Sequence, residues 1–120
     1  MIDFMADVLA HASREFPNEC CGYVTDRRVV ACTNAEPRPD RFALDGRELF
    51  DFARSFDTDE PARIFYHSHT NGRAYLSPTD REQATAYPVQ HLVVGILADG
   101  PVEAALFAQD FSELQRWVLR

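Results

Sequence analysis

One stretch of the sequence decides the fold: residues 64–80, IFYHSHTNGRAYLSPTD. Its first six residues are β-prone, which predicts a central, buried strand over Ile64–His69. Ser77 followed by Pro78 predicts a helix start, because serine caps helix N-termini and proline is favoured at the first helical position. The stretch therefore predicts a strand, a loop and a helix in that order.

The spacing of two histidines in this stretch indicates a metal site. Side chains at i and i+2 of a strand leave the same face about 6.5–7 Å apart, so His67 and His69 are able to converge on one ion. Asp80 is the third residue of the predicted helix. It becomes a third ligand when the loop folds the helix start back over the strand end. Three protein ligands leave a fourth position for water, which is the layout of a catalytic zinc site.

Such a site also needs a base that takes a proton from the attacking water and passes it to the departing amine. Glu19 is the best candidate, because it stands at the mouth of the first predicted strand. The hydroxyl of Ser77 has two interpretations: it supports the oxyanion of the tetrahedral intermediate, or it only caps the helix.

Outward from this stretch, apolar periodicity and turn residues predict a mixed sheet covered by helices. The expected order begins with a helix over residues 2–15 and strands over Cys20–Thr25 and Val29–Thr33. A surface loop over Ala35–Asp40, a brief strand over Phe42–Leu44 and a helix from Asp45 to near Ser55 follow. After the strand and helix described above come strands over Val89–Leu97 and Val102–Ala108. The spacing of Phe111, Leu114, Trp117 and Val118 favours a closing helix, with a strand as the alternative.

Composition limits the class of protein. A length of 120 residues predicts one domain over residues 1–120. The net charge of −7 disfavours nucleic acids and anionic membranes as partners. The longest apolar run, Leu92–Ala98, is shorter than the about 20 residues that cross a membrane. The acidic N-terminal segment is unlike a signal peptide, and the three cysteines are a poor set for disulfides, so we expect a cytoplasmic protein.

Some residues outside the stretch also carry reactive groups. Cys20, Cys21 and Cys32 lie in β-rich runs, where free cysteines are commonly buried as small hydrophobes; a second zinc site or a nucleophile is the alternative. His11 and His91 are outside the motif, and we expect structural roles for both.

At the residues named above, the sequence resembles the JAMM metallopeptidases, also called the MPN-plus domain. The family pattern is a glutamate, later His-x-His, seven residues and Ser-x-x-Asp, and it is met by Glu19, His67, His69, Ser77 and Asp80. The resemblance covers nearly the whole chain. It implies an α/β (α+β), cytidine-deaminase-like JAMM/MPN fold with a mixed, mostly antiparallel sheet flanked by helices.

The resemblance also implies chemistry: one Zn²⁺ ion per chain held by His67, His69 and Asp80, with Glu19 as general base and acid and Ser77 as oxyanion support. One departure is Thr70, where many members have proline; it affects the stiffness of the loop more than metal ligation.

A substrate follows from the same resemblance. Members that cleave ubiquitin chains carry inserted segments for which 120 residues leave no length. Small prokaryotic members process small ubiquitin-like (β-grasp) sulfur-carrier proteins. We therefore expect hydrolysis of an amide bond after the Gly-Gly of such a carrier, either to trim an extension or to release an adduct. The alternatives are a phage-tail-type or general JAMM peptidase, a non-catalytic MPN binding scaffold, and a cysteine hydrolase.

Overall fold

The structure is a computed structural model that describes residues 2–36 and 42–120. Three helices and six strands occur in these residues. In chain order they are α1 (Met5–Glu15), β1 (Cys21–Val24), β2 (Val29–Cys32), α2 (Gly46–Ser55), β3 (Ile64–His69), α3 (Pro78–Ala84), β4 (Gln90–Leu97), β5 (Gly100–Phe107) and β6 (Glu113–Val118).

The six strands form one sheet in the order β2-β1-β3-β4-β5-β6. The two central strands, β3 and β4, pair in parallel, whereas the other neighbours pair antiparallel. Parallel strands need a crossover connection, and α3 lies within the crossover from β3 to β4. The prediction of a mixed, mostly antiparallel sheet flanked by helices is therefore confirmed.

Helices cover both faces of the sheet, and strand alternation assigns each side chain of β3 to a face. Tyr66 packs in the core cluster that contains Val8 and Ala12 of α1. Phe65 packs on the opposite face, in the cluster that contains Phe52 of α2. Because residues two apart in a strand share a face, His67 and His69 lie on the face of Phe65.

For residues 111–118 the favoured closing helix is wrong, and the alternative, a strand, is correct. Glu113–Val118 is strand β6, paired antiparallel with β5. Of the apolar residues that suggested a helical stripe, Leu114 is 51% and Val118 82% exposed, so they do not form a buried stripe. The turn before β6 contains Phe111 with φ of 73°, and pairing with β5 overrides the weak helical spacing.

Other expected boundaries shift only slightly. The brief strand over residues 42–44 is reduced to a single bridge between Asn34 and Leu44, and the first helix begins at Met5 instead of residue 2. Positions 37–40 of the expected loop lie outside the described residues. Among the residues described, none of the helices combines the length and the hydrophobicity that crossing a membrane requires.

Candidate metal centre

Three side chains from β3 and α3 converge at the C-terminal end of β3. The Nε2 atoms of His67 and His69 are 3.2 Å apart. The Oδ2 atom of Asp80 lies 3.2 Å from Nε2 of His67 and 3.0 Å from Nε2 of His69. All three residues are buried. The structure thus brings together the three residues that the sequence suggests as metal ligands.

The start of α3 fixes the direction of the Asp80 carboxylate. Ser77 is the N-cap, Pro78 is in the first turn and Asp80 is the third helical residue, as the sequence predicts. The Ser77 hydroxyl accepts a hydrogen bond from the Asp80 N–H at 3.1 Å, and Asp80 Oδ2 accepts one from the Ser77 N–H at 2.9 Å. This capping box holds the carboxylate over the strand end.

The loop between β3 and α3 orients His69. Nδ1 of His69 lies 3.3 Å from the backbone carbonyl oxygen of Arg73. A carbonyl accepts only, so Nδ1 carries a proton and Nε2 is the atom directed at Asp80 and His67, where a bound metal ion would displace its proton. Gly95 pairs with His69 in β4. Any side chain there would overlap the backbone of Gly72 and Arg73, so glycine lets the loop lie close to the sheet.

The separations of the three atoms fit a tetrahedral ion. Bonds of about 2.0–2.1 Å to zinc place neighbouring ligand atoms about 3.3–3.4 Å apart in a tetrahedron. The observed separations are 3.0 to 3.2 Å. Two imidazoles with one carboxylate also suit zinc better than magnesium or calcium, which prefer all-oxygen sites. The residues present therefore fit zinc.

The electrostatics of the cluster favour a bound cation. Burial by itself raises the pKa of Asp80, but hydrogen bonds with His67 and His69 outweigh burial and hold that pKa well below its ordinary value. The carboxyl is therefore ionised at neutral pH. Burial lowers the pKa of His67, which keeps that imidazole neutral and available as a ligand.

Glu19 lies on the same sheet face as the histidines. Cys21 pairs with His67 in the antiparallel register of β1 and β3, so the same register puts Glu19 opposite His69. Glu19 is 6% exposed. Its neighbour Cys20 is fastened to β3, since the Cys20 N–H donates to Oγ of Ser68 at 2.8 Å. Burial by itself lowers the pKa of His69, but the hydrogen bond to Asp80 and the nearby negative charges, that of Glu19 among them, raise it above its ordinary value.

A polar cleft of about 870 Å³ opens beside the three converging side chains. Its lining includes Glu19, His69, Tyr75, Ser77 and Asp80, and we refer to it as the polar cleft. The two residues that the sequence suggests for catalysis, Glu19 and Ser77, therefore border one opening together with two of the three candidate ligands.

The cysteines and His11 are placed as structural residues. Burial is the main cause that raises the pKa of Cys20 and of Cys21 to about 12, so both thiols are protonated at neutral pH and poor nucleophiles. Burial also raises the pKa of Cys32. Nδ1 of His11 lies 2.7 Å from the hydroxyl of Tyr66 in the α1 core, away from the polar cleft.

Sequence reasoning missed two residues that hold the loop before α3. Oε2 of Glu103, in β5, accepts a hydrogen bond from the Ala74 N–H at 2.8 Å. Arg116, in β6, donates to the Ala74 carbonyl at 3.0 Å and pairs with Glu103 at 3.0 Å. These partners are 29 and 42 positions from Ala74, and no local pattern in the sequence signals such contacts.

Comparisons with known proteins agree with this geometry. Residues 3–112 match the family described as prokaryotic homologs of the JAB domain. Curated relatives named CysO-cysteine peptidase, from Mycobacterium bovis and Mycobacterium tuberculosis, are 37% identical over 100 residues. The match covers 77% of this chain and 68% of each relative.

Solved structures share the fold. A solution structure of a Desulfitobacterium hafniense protein has a TM-score of 0.67 and 26% identity, covering 92% of this chain and 85% of that one. The crystal structure of a JAB1/MPN domain protein from Archaeoglobus fulgidus has a TM-score of 0.59 and 11% identity, covering 93% and 90%. At that identity the second likeness concerns the fold alone.

Proposed function

The chain belongs to the family of prokaryotic JAB-domain proteins, the minimal JAMM type, and from that premise we propose that it is a zinc-dependent peptidase. Its proposed substrate is a small ubiquitin-like sulfur-carrier protein, cut at the amide bond after the C-terminal Gly-Gly. The observation that carries the proposal is the convergence of His67, His69 and Asp80 within hydrogen-bond distance of one another. The name of the curated relatives, CysO-cysteine peptidase, supports an adduct between a protein and an amino acid as the substrate class.

His67 and His69 hold the ion through their Nε2 atoms in this proposal, and Asp80 holds it through a carboxylate oxygen. Zinc, when bound, supplies Lewis acidity that polarises the substrate carbonyl and lowers the pKa of a water molecule. The Arg73 carbonyl accepts the Nδ1–H of His69 and so leaves Nε2 as the nitrogen that would bind the ion.

Glu19 moves the proton. Its carboxylate takes a proton from the attacking water, whose oxygen bonds to the carbonyl carbon to form a tetrahedral intermediate. The C–N bond then breaks, and Glu19 passes the proton to the amine nitrogen. The products are a carboxylate on the carrier glycine and a free amine. Glu19 is 6% exposed and borders the polar cleft together with His69 and Asp80, which supports this role because a general base has to lie within reach of the reacting water.

Ser77 supports the oxyanion in the same proposal. Its Oγ accepts the Asp80 N–H, and its own hydroxyl hydrogen is then available for donation to the intermediate. A preorganised donor of this kind lowers the barrier because it needs no reorientation when charge develops.

A glycine-rich tail suits the surroundings of the buried ligands. The candidate ligands are 9% exposed or less, so a substrate backbone has to approach them closely. Glycine permits that approach because it has no Cβ atom. The polar cleft of about 870 Å³ is large enough for an extended tail of a few residues.

The experiment combines cleavage with metal analysis. A β-grasp carrier with residues beyond its Gly-Gly is incubated with the protein and analysed by mass spectrometry. We expect cleavage after the diglycine, loss of activity on chelation, recovery with zinc, and about one zinc per chain. Glu19→Gln is expected to keep the zinc and lose about 10²- to 10⁴-fold in turnover, since it removes proton transfer only. Glu82→Gln, on the exposed side of α3, is the matched control.

Three outcomes contradict parts of this proposal. Retention of zinc by both His67→Ala and His69→Ala rejects the ligand assignment. Sensitivity to alkylation without sensitivity to chelation indicates a cysteine hydrolase. Equal cutting of unrelated unfolded proteins indicates a general peptidase and rejects the carrier, while the zinc chemistry stands.

A further inference from the structure

A second opening lies on the other side of the candidate metal centre. It is a cavity of about 350 Å³ between α2, α3 and the sheet, near the lower limit of volumes for small-ligand pockets. We refer to it as the apolar cavity, since most of its lining is aromatic or aliphatic: Phe52, Phe65, Leu76, Ala84, Tyr87 and Val89.

The apolar cavity and the polar cleft meet at the ligands. His67 lines the cavity, His69 lines the cleft, and Asp80 lines both. A substrate whose reacting carbonyl lies at the centre therefore has one side in each opening.

One polar side chain in the wall of the apolar cavity lacks a partner. His91 is 6% exposed and lines the cavity. Its Nε2 is buried and makes no hydrogen bond to any residue of the described ranges. Its pairing with Phe65 places it on the sheet face of His67. Buried polar atoms are nearly always satisfied, so this nitrogen indicates a group that the cavity receives.

The bonding of the His91 ring defines that group. A hydrogen bond with the backbone of Ala84 by itself raises the pKa of His91. A bond has this effect when a ring N–H donates to a backbone carbonyl. Burial outweighs the bond with Ala84 and is the main cause that lowers the pKa of His91 to about 4. The ring is therefore neutral at pH 7, and Nε2 is the acceptor. Its missing partner is a hydrogen-bond donor.

We propose that the apolar cavity binds the side chain of the residue after the cleaved bond, and that it selects an apolar side chain ending in a hydrogen-bond donor, tyrosine above all. This inference rests on the proposed function. A diglycine tail carries no side chain, so an apolar cavity beside the centre serves the residue on the other side of the bond. An aromatic ring matches the walls of Phe52, Phe65 and Tyr87.

The cysteine in the name of the curated relatives is a smaller member of the same class. It has a short apolar stem and a weak S–H donor. Lysine is disfavoured because the lining is mostly apolar and its carboxylate, that of Asp80, is already paired with His67 and His69.

The first test uses the wild-type protein and carriers that end in Gly-Gly-Tyr, Gly-Gly-Phe, Gly-Gly-Ala or Gly-Gly-Lys. We expect kcat/KM for the tyrosine carrier to exceed that for the alanine carrier by about tenfold or more, with phenylalanine between them and lysine last. Equal values for the four carriers, or a preference for lysine, overturn the proposal. This test does not depend on the folding of any variant.

Variants then locate the preference. His91→Phe removes the acceptor and keeps a ring of similar size, so the ratio of kcat/KM for tyrosine to phenylalanine is expected to fall to about one. Ala84→Leu fills the cavity, and the ratio for tyrosine to alanine is expected to fall. Phe50→Ala, at a position of α2 that is 59% exposed, is the control that keeps both ratios. Ratios that persist in His91→Phe and Ala84→Leu place the preference elsewhere.

A binding measurement separates this inference from the proposed function. p-Cresol, a stand-in for the tyrosine side chain, is titrated into ¹⁵N-histidine-labelled protein, with toluene as the control. We expect p-cresol to shift the Nε2 resonance of His91 and toluene to shift it less. Such a shift without cleavage of any carrier supports the cavity and rejects the proposed function. Cleavage without residue preference and without a shift rejects the cavity and leaves the function standing.

Discussion

Two helices of this protein begin with the same local chemistry and have different consequences. Asp45 caps α2 by accepting the Glu48 N–H at 2.8 Å. Ser77 caps α3 by accepting the Asp80 N–H at 3.1 Å. In both helices the residue three positions after the cap is acidic, which is the signature of a capping box.

The acids at these equivalent positions have different partners. Oε1 of Glu48 accepts the Thr33 N–H, just after β2, at 2.8 Å. The Asp80 carboxylate accepts the Ser77 N–H and contacts both histidines at the end of β3. Capping residues thus determine where a helix begins, whereas the neighbouring strand end determines whether the third residue has a structural or a chemical role.

Exchanging each acid for its amide tests that difference most strongly. We expect Asp80→Asn to weaken zinc binding by more than about 100-fold and to abolish cleavage. The loss exceeds the usual effect of removing a residue that only hydrogen-bonds a ligand, because Asp80 is itself a proposed ligand. Glu48→Gln is expected to leave zinc binding unchanged. Its amide oxygen still accepts from Thr33, so the free energy of unfolding falls by about 1 kcal/mol or less.

Zinc titration of the metal-free proteins and thermal unfolding measure these two effects. If Asp80→Asn binds zinc as tightly as the parent, Asp80 is part of the capping box only and is not a metal ligand. Weaker zinc binding by Glu48→Gln would mean that α2 also shapes the centre.

The two N-cap residues supply the next comparison. Ser77→Ala and Asp45→Ala each remove one cap, which costs about 1 kcal/mol of stability. Only Ser77→Ala is expected to lower kcat in addition, by about 10²-fold, because it also removes a donor to the oxyanion. Steady-state kinetics at saturating zinc separate the two. Equal kcat values for both variants would assign Ser77 to capping alone.

The sequence predicts α3 and its residues well because their signals are local. Ser77, Pro78 and Asp80 act within one helical turn, and His67 and His69 share a face because of strand periodicity. Residues so close in the chain keep their relation whatever the rest of the fold does.

Features that depend on distant partners were less predictable. The apolar spacing over residues 111–118 suggested a helix, yet pairing with β5 makes it strand β6. An antiparallel edge strand with exposed Leu114 and Val118 has no strong pattern of its own. The unpartnered Nε2 of His91 likewise exists only in the packed molecule, and the sequence indicated no more than a structural histidine there.

The loops that precede the two helices differ too, and this difference leads to the smallest expected effect. Before α2, partners near in sequence are bonded: the Ala35 N–H donates to the Ala43 carbonyl at 2.7 Å, and Oδ1 of Asn34 accepts from the Ala43 N–H at 3.0 Å. Before α3, side chains hold the loop: Arg116 donates to the Ala74 carbonyl at 3.0 Å, beside the Arg73 carbonyl that orients His69. We therefore expect the orientation of this candidate ligand to depend in part on Arg116, which holds Ala74 together with Glu103.

Arg116→Met removes that hold and keeps most of the side-chain stem. We expect zinc affinity to fall about threefold to tenfold. Loss of a residue that bonds a ligand directly costs about 10- to 100-fold, and the effect is smaller here because Arg116 acts through the loop and not on His69 itself. Arg120→Met is the matched control: the two arginines are 35% and 37% exposed, and Arg120 donates to the Gly100 carbonyl at 2.9 Å. Arg116→Met loses ion pairs with Glu103 and Glu113, and Arg120→Met loses one with Asp99. Each partly exposed pair is worth about 1 kcal/mol or less, so stability should fall slightly more in Arg116→Met. Equal zinc affinities in the two variants would show that the loop holds His69 in place without Arg116.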